Sequence, residues 1–266
     1  MTRSTRTRKA IRAGRLRGAG FTLIEMAVVL VVMGVLVGVV IRPLIADAEN
    51  RVLNETDKVM AEARDGLLGY AAANGYFPCP ADATSNGQEA AGTDHTTGVC
   101  PVWYGFLPAA ALGLASVDEL GYAVDGGRQA QNRIRYAITS QTIGGVTFPY
   151  TKRNGTRTVG ALSLDAEDLL FVCGSATGVV VGVNCGTAVT LTSRAVAVVW
   201  SVGGNALTGG ASADEAENPN PNGGSADRIF VSRSRSVVTA TAFDDVVSWI
   251  PVNIVINRLL ASGQLP

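Results

Sequence analysis

From Phe21 to Ile41 the chain runs for 21 residues built from Phe, Thr, Leu, Ile, Met, Ala, Val and Gly, with one ionisable side chain, Glu25. As a helix this stretch would measure about 31 Å at ~1.5 Å per residue, close to the ~30 Å hydrocarbon core of a bilayer. Ahead of it stand Arg3, Arg6, Arg8, Lys9, Arg12, Arg15 and Arg17, and the first 20 residues hold no acid. Positive flanks stay on the cytoplasmic side, so the pattern predicts a single pass with the N-terminus inside and the later chain outside. Glu25 is the anomaly. A carboxylate in an apolar helix costs up to about 3 kcal/mol near the bilayer centre and calls for a positive partner.

The series Gly20-Phe21-Thr22-Leu23-Ile24-Glu25, behind a basic leader and ahead of an apolar helix, resembles the processing site of type IV prepilins and of the pseudopilins of type II secretion. The resemblance implies that a membrane prepilin peptidase and N-methyltransferase cuts after Gly20 and methylates the new amino terminus, Phe21. It also implies that the carboxylate of Glu25 attracts the terminal amine of a neighbouring pilin-like subunit. Two charges that are each costly in lipid neutralise one another when helices stack. The expected location is the bacterial inner membrane, with the C-terminal part periplasmic, then the filament or cell surface after assembly. Two plainer readings stand beside it. A generic signal anchor leaves Glu25 as an accident, and a cleaved secretory signal ending at Ala46-Asp47-Ala48 conflicts with the length of the apolar run and the acid within it.

The predicted organisation is a basic leader (1–20), a transmembrane or filament-core helix half (21–41), an amphipathic helix half (42–74) and a β-rich globular domain (75–266). Arg42-Pro43 should kink the helix near Ile41 rather than end it. Beyond it Ile45, Ala48, Val52, Val59, Met60, Ala63, Leu67 and Ala71 recur at three- and four-residue spacing, which predicts a face that lies on a sheet. Asn74-Gly75 supplies a stop, and Pro78 and Pro80 forbid continuation. The fold class expected is therefore α+β and pilin-like, a long kinked helix packed on an antiparallel sheet. With 31 glycines the remainder favours short strands and turns. Strands are expected at 133–139, 145–150, 157–163, 168–173, 179–183, 188–192, 195–202, 228–232, 236–241 and 245–249, with a closing helix that starts at Pro251.

Cys79, Cys100, Cys173 and Cys185 all fall outside the membrane on this topology, where disulfides persist. Three pairings are open; Cys79 with Cys100 and Cys173 with Cys185 are preferred because each closes a local, turn-rich loop. Between Gly203 and Asp227 the acids Asp214, Glu215, Glu217 and Asp227 occur without a basic residue. Asn218, Asn220 and Asn222 precede Gly223 at alternate positions, as oxygen ligands do in calcium loops. A solvated loop is the plainer reading and calcium the candidate ligand beside it, since the closing Glu of such loops is replaced by Ile229. No cofactor is required otherwise.

Trp103, Tyr104 and Phe106 form an aromatic cluster that suits a core or turn. Walker A, Gly-x-Ser-x-Gly and His-Glu-x-x-His motifs are missing, His95 sits in a Gly- and Thr-rich loop, and Asp244-Asp245 would face opposite ways on a strand, so no enzyme is expected. Without the leader, 15 basic residues face 22 acidic ones, which argues against a nucleic-acid surface. The functional expectation is a minor pilin or pseudopilin subunit of a pilus or type II secretion pseudopilus. The alternative is an extracytoplasmic binding or enzymatic domain for which the helix is only an anchor.

Overall fold

A computed structural model of the chain describes residues 22–115, 117–165, 168–205, 212–218, 227–236 and 241–266, and for residues 38–49 the backbone alone. The chain divides into two units, Met1–Ala48 and Glu49–Pro266. Helix α1 (Leu23–Asn74) begins in the first. There its apolar side chains from Leu23 to Val37 are all exposed, Leu23 by 90% and Ile24 by 73%. The backbone stays helical through Arg42-Pro43. Among the described residues no helix is long and apolar enough to cross a membrane. The expected span at 21–41 is only partly covered by them, since Phe21 and the side chains of 38–41 lie outside.

In the second unit α1 is amphipathic as its spacing predicts. Thr56, Val59, Met60, Ala63, Leu67, Leu68 and Ala71 are buried, while Val52 is 42% exposed. The helix ends at Asn74 because Gly75 takes φ +80°, a left-handed turn that costs glycine nothing. The sheet it packs on is built from β1 (Tyr104–Phe106), β2 (Arg135–Ile138), β5 (Leu170–Cys173), β6 (Thr190–Ser201), β7 (Ile229–Val231) and β8 (Val246–Pro251), in the order β1-β2-β6-β5-β7 with β8 beside β6. Ala195 marks where β6 changes neighbours: it pairs with Leu170 on one side and Pro251 on the other. A second, two-stranded ladder joins β3 (Thr142–Ile143) and β4 (Val146–Thr147).

The α+β, helix-on-sheet arrangement is as expected, but the sheet is mixed rather than purely antiparallel. β5 and β7 run parallel, because the chain between them passes out along β6 and returns through α5 (Ala213–Glu217), long enough for a crossover. Alternation along the strands sorts the core into two layers. Tyr136, Ile138, Val196, Val199 and Ile250 join the buried face of α1 and the residues Val252, Val255 and Leu259 of α6 (Val252–Ala261). Ala137, Val198, Trp200, Val202 and Phe230 pack together in a separate cluster.

Several expected strands are corrected. Residues 157–163 fold as short helices α3 (Gly155–Val159) and α4 (Ala161–Leu164), divided by Gly160 at φ +79°, while Thr156 Oγ1 is drawn into the core to donate to the Gly75 carbonyl at 2.9 Å. Residues 179–183 form the tip of a loop with one isolated bridge, Val180 to Asn184, and Val181 is 73% exposed; among the described residues no strand pairs with them. The two segments at 188–192 and 195–202 are one strand, β6, with an irregularity at Ala195–Ala197. Residues 145–150 retain only β4. In 236–241 a single bridge joins Ser236 to Phe243, and 237–240 lie outside the described residues. Pro251 closes β8 and caps α6, which begins at Val252, one residue after the expected start. Strand β1 and helices α2 (Ala109–Leu112) and α5 were not expected.

One glycine sets how closely the second half of α1 approaches its neighbours. A Cβ on Gly126 would lie 2.1 Å from the Val52 carbonyl oxygen, and the Gly126 N–H donates to Thr56 Oγ1 at 3.0 Å. Only a residue without a side chain admits this contact.

Candidate processing and assembly site

The first turn of a helix leaves four backbone N–H groups without intrahelical acceptors. Here Thr22 and Glu25 answer part of that need reciprocally. Glu25 N–H reaches Thr22 Oγ1 at 3.3 Å, and Thr22 N–H reaches Glu25 Oε2 at 3.5 Å. This is a capping box, and the carboxylate also lies at the positive end of the helix dipole. The acid that seemed to lack any partner in its own chain therefore has one. The signal was in plain view as Thr22-x-x-Glu25, obscured by the greater prominence of the membrane argument. The pair remains exposed. Gly20 and Phe21, the expected cleavage and methylation positions, lie outside the described residues.

The cysteines pair as expected, Cys79 with Cys100 at a Cα separation of 5.4 Å and Cys173 with Cys185 at 5.6 Å. Of the six expected calcium ligands, Asn220 and Asn222 lie outside the described residues. Asp214 has other partners: its Oδ2 is 2.8 Å from Arg233 Nε, and its Oδ1 accepts from Ser175 Oγ and the Ala176 N–H at 2.9 and 2.7 Å. Asn218 is fully buried. Its amide donates to the Val231 carbonyl at 3.1 Å and to Asp245 Oδ2 at 2.7 Å, and its oxygen accepts from the Val231 N–H at 2.8 Å. Asp227 accepts from the Gly182 and Ile229 N–H groups at 2.8 and 2.7 Å. Glu217 has a buried oxygen, Oε1, without a hydrogen bond among the described residues, and burial followed by the charge of Asp227 raises its pKa. The structure thus sets Glu217 and Asp227 within electrostatic reach and gives Asp214 and Asn218 partners within the protein.

A different acidic group is assembled nearby. One carboxylate oxygen each from Glu215, Asp244 and Asp245 lie within 4.8 Å of one another. Asp244 and Asp245 precede β8 in irregular backbone, so the expectation that they face opposite ways does not hold. Glu215 Oε1 accepts from the Asp244 N–H at 2.9 Å and Oε2 from Asn205 Nδ2 at 3.0 Å. Burial, and then the charges of Asp244 and Glu215, push Asp245 up to about 8 against the bond from Asn218. Burial also raises Asp244. Asp245 therefore keeps its proton at neutral pH. The cluster of Cys79, Glu89 and His95 is of another kind, for the Cys79 sulfur is consumed by its disulfide.

Comparison with known families places one match on the chain. Residues 15–41 match the model described as Prokaryotic N-terminal methylation motif. No curated protein and no solved structure matches. The motif implies a pilin-like or pseudopilin substrate of prepilin peptidase, membrane-anchored and assembling with pilin-like subunits, and it covers Gly20, Phe21, Thr22 and Glu25 together.

Proposed function

We propose that this chain is a minor pilin-like subunit, cut between Gly20 and Phe21, methylated on Phe21, and held in the inner membrane by 21–41 until it enters a pilus or a secretion pseudopilus. The observation that carries the reading is the placement of Glu25 in the first turn of α1, surrounded by exposed apolar side chains and four residues beyond Phe21 in the sequence. In a filament those side chains would pack against other helices, and Glu25 would exchange its long contact with the Thr22 N–H for the amine of a neighbouring subunit. Such an exchange favours assembly because an ion pair in an apolar core is worth more than a weak, solvated cap. A globular part that begins after residue 74 is large for densely packed copies, which favours a minor role.

The test is assembly of Glu25→Ala in a host that carries the filament machinery. The variant is expected in the membrane fraction, cleaved, and lost from sheared filaments. Incorporation at the wild-type level would remove the charge-pairing mechanism.

A further inference from the structure

His95 stands between two groups that can only accept hydrogen bonds. Its Nδ1 is 2.7 Å from the Thr151 carbonyl oxygen, and its Nε2 is 2.9 Å from Glu89 Oε1 and 3.2 Å from Oε2. A neutral imidazole carries one N–H, so it would turn a lone pair toward a carbonyl or a carboxylate. Only the imidazolium satisfies both contacts. The ring also stacks on Tyr76 with centroids 4.3 Å apart, and Tyr76 meets Tyr70 edge-on at 6.1 Å, which suits a cation over an aromatic face.

We propose that His95 is a proton-operated clasp, which in its charged form fastens the loop closed by Cys79 and Cys100 to the 148–153 turn and to the segment that follows α1. The segment after α1 also meets the turn through the Phe77 N–H, which donates to the Tyr150 carbonyl at 2.6 Å. Glu89 Oε1 accepts from the Cys79 N–H at 2.5 Å as well as facing the ring, the Arg153 N–H donates to the His95 carbonyl at 2.7 Å, and Thr151 Oγ1 donates to the Gly98 carbonyl at 2.6 Å. The charged and titratable groups that face the ring are Glu89, Arg153 and Tyr76, with Tyr70 packed on the far side of the stack against Tyr76. Asp94, its sequence neighbour, is turned to Thr96 and Thr97 instead.

The direction of the switch follows. Burial lowers the ring's pKa, but the bonds to Glu89 and Thr151 and the Glu89 charge outweigh it and the opposing Arg153, so the net shift is upward from 6.5. A group raised on folding contributes its full stability below the unfolded value and loses it as pH rises through the folded one. The clasp is therefore closed in acidic medium and opens in alkaline medium. This holds whether or not the chain enters a filament.

The chain has one histidine, so its imidazole resonances are unambiguous. In the full-length protein in detergent, an NMR titration from pH 5 to 9 should show both ring N–H groups protected at pH 6 and a midpoint above 6.5. Glu89→Gln should lower that midpoint. Hydrogen exchange of residues 79–100, corrected for the intrinsic pH dependence, should accelerate several-fold above the midpoint in the wild type and show no such step in His95→Gln. A midpoint at or below 6.5, a midpoint indifferent to Glu89→Gln, or exchange without a step in the wild type would each overturn the proposal. The titration of the unmodified chain decides it even where a variant fails to fold.

Discussion

Thr22 and Glu25 cap one another at the start of α1, through contacts of 3.3 and 3.5 Å between each residue's backbone N–H and the other's side-chain oxygen. The same carboxylate is therefore asked to perform two tasks, closing its own helix and meeting a neighbour's amine, and substitutions can separate them. Thr22→Ala removes a cap worth about 1 kcal/mol and leaves the charge. Glu25→Gln keeps a capping-box residue and removes the charge. We expect Thr22→Ala to be found in sheared filaments and Glu25→Gln to be missing from them, as measured by immunoblot. The reverse pattern would assign Glu25 to helix capping alone.

Gly126 fixes the contact between the helix and the turn before β2. Gly126→Ala brings a methyl group against the Val52 carbonyl, with backbone on both sides and no flexible side chain to give way. The variant should lose about 2 kcal/mol or more, of the order seen for overpacked sites. Thermal denaturation followed by circular dichroism would register this as a lower Tm, whereas Gly69→Ala, on the same helix with open space around it, should be neutral or slightly stabilising.

Asp245 supplies a second pH dependence, of opposite logic to a paired carboxylate. Its folded pKa is raised to about 8, so the native state holds a proton that the unfolded chain releases near pH 4. Stability from this group is complete below the unfolded value and falls as pH rises toward about 8. Asp245→Asn stays neutral and can still accept from Asn218. It should match the wild type near pH 4 and exceed it at pH 8 by about 1 to 3 kcal/mol, the cost of an unbalanced buried charge. Urea titrations at the two pH values give the comparison, and equal stabilities at pH 8 would count against a buried acid there.

Arg135 carries a buried charge. Its residue is 9% exposed, and among the described residues Nε and Nη2 have no hydrogen-bond partner. Its guanidinium lies 4.2 Å from the Phe106 ring centroid, while burial and the neighbouring charge of Arg133 pull its pKa down to about 10. Arg133 in turn takes Asp118, at 2.8 Å. Arg135→Met should therefore stabilise the fold by about 1 kcal/mol, since an apolar side chain fills the site without stranded donors. A clear loss of Tm would show that the cation and ring stack outweighs the desolvation.

The features that could be read from the sequence are those with a local physical cause. The buried face of α1 follows from three- and four-residue spacing, its end from Gly75, and the disulfides from short loop closures. β5, β7 and β8 follow from compact β-branched or aromatic runs. What failed to show depended on distant partners. Residues 157–163 have the composition of a strand, yet Thr156 is captured by the Gly75 carbonyl, remote in the chain, and the segment coils. The valines of 179–183 have strand propensity, but among the described residues they find only the isolated bridge from Val180 to Asn184. Asn218 and Asp214 offer ligand oxygens on paper, and the fold turns them toward Val231 and Arg233. The acid cluster of Glu215, Asp244 and Asp245 unites residues about 30 positions apart, which no local spacing reveals. The clasp at His95 likewise needs Glu89 and Thr151, the second of them 56 residues away.

All of the functional account rests on the chain being cut at the Gly20–Phe21 bond and offering that amine to a neighbour's Glu25. Intact-mass and N-terminal peptide mass spectrometry of the protein, purified from a host that carries prepilin peptidase, tests this most directly. The account predicts a first residue of Phe21 bearing one added methyl group. A protein that keeps its arginine-rich segment, or one that begins after Ala48, would contradict it.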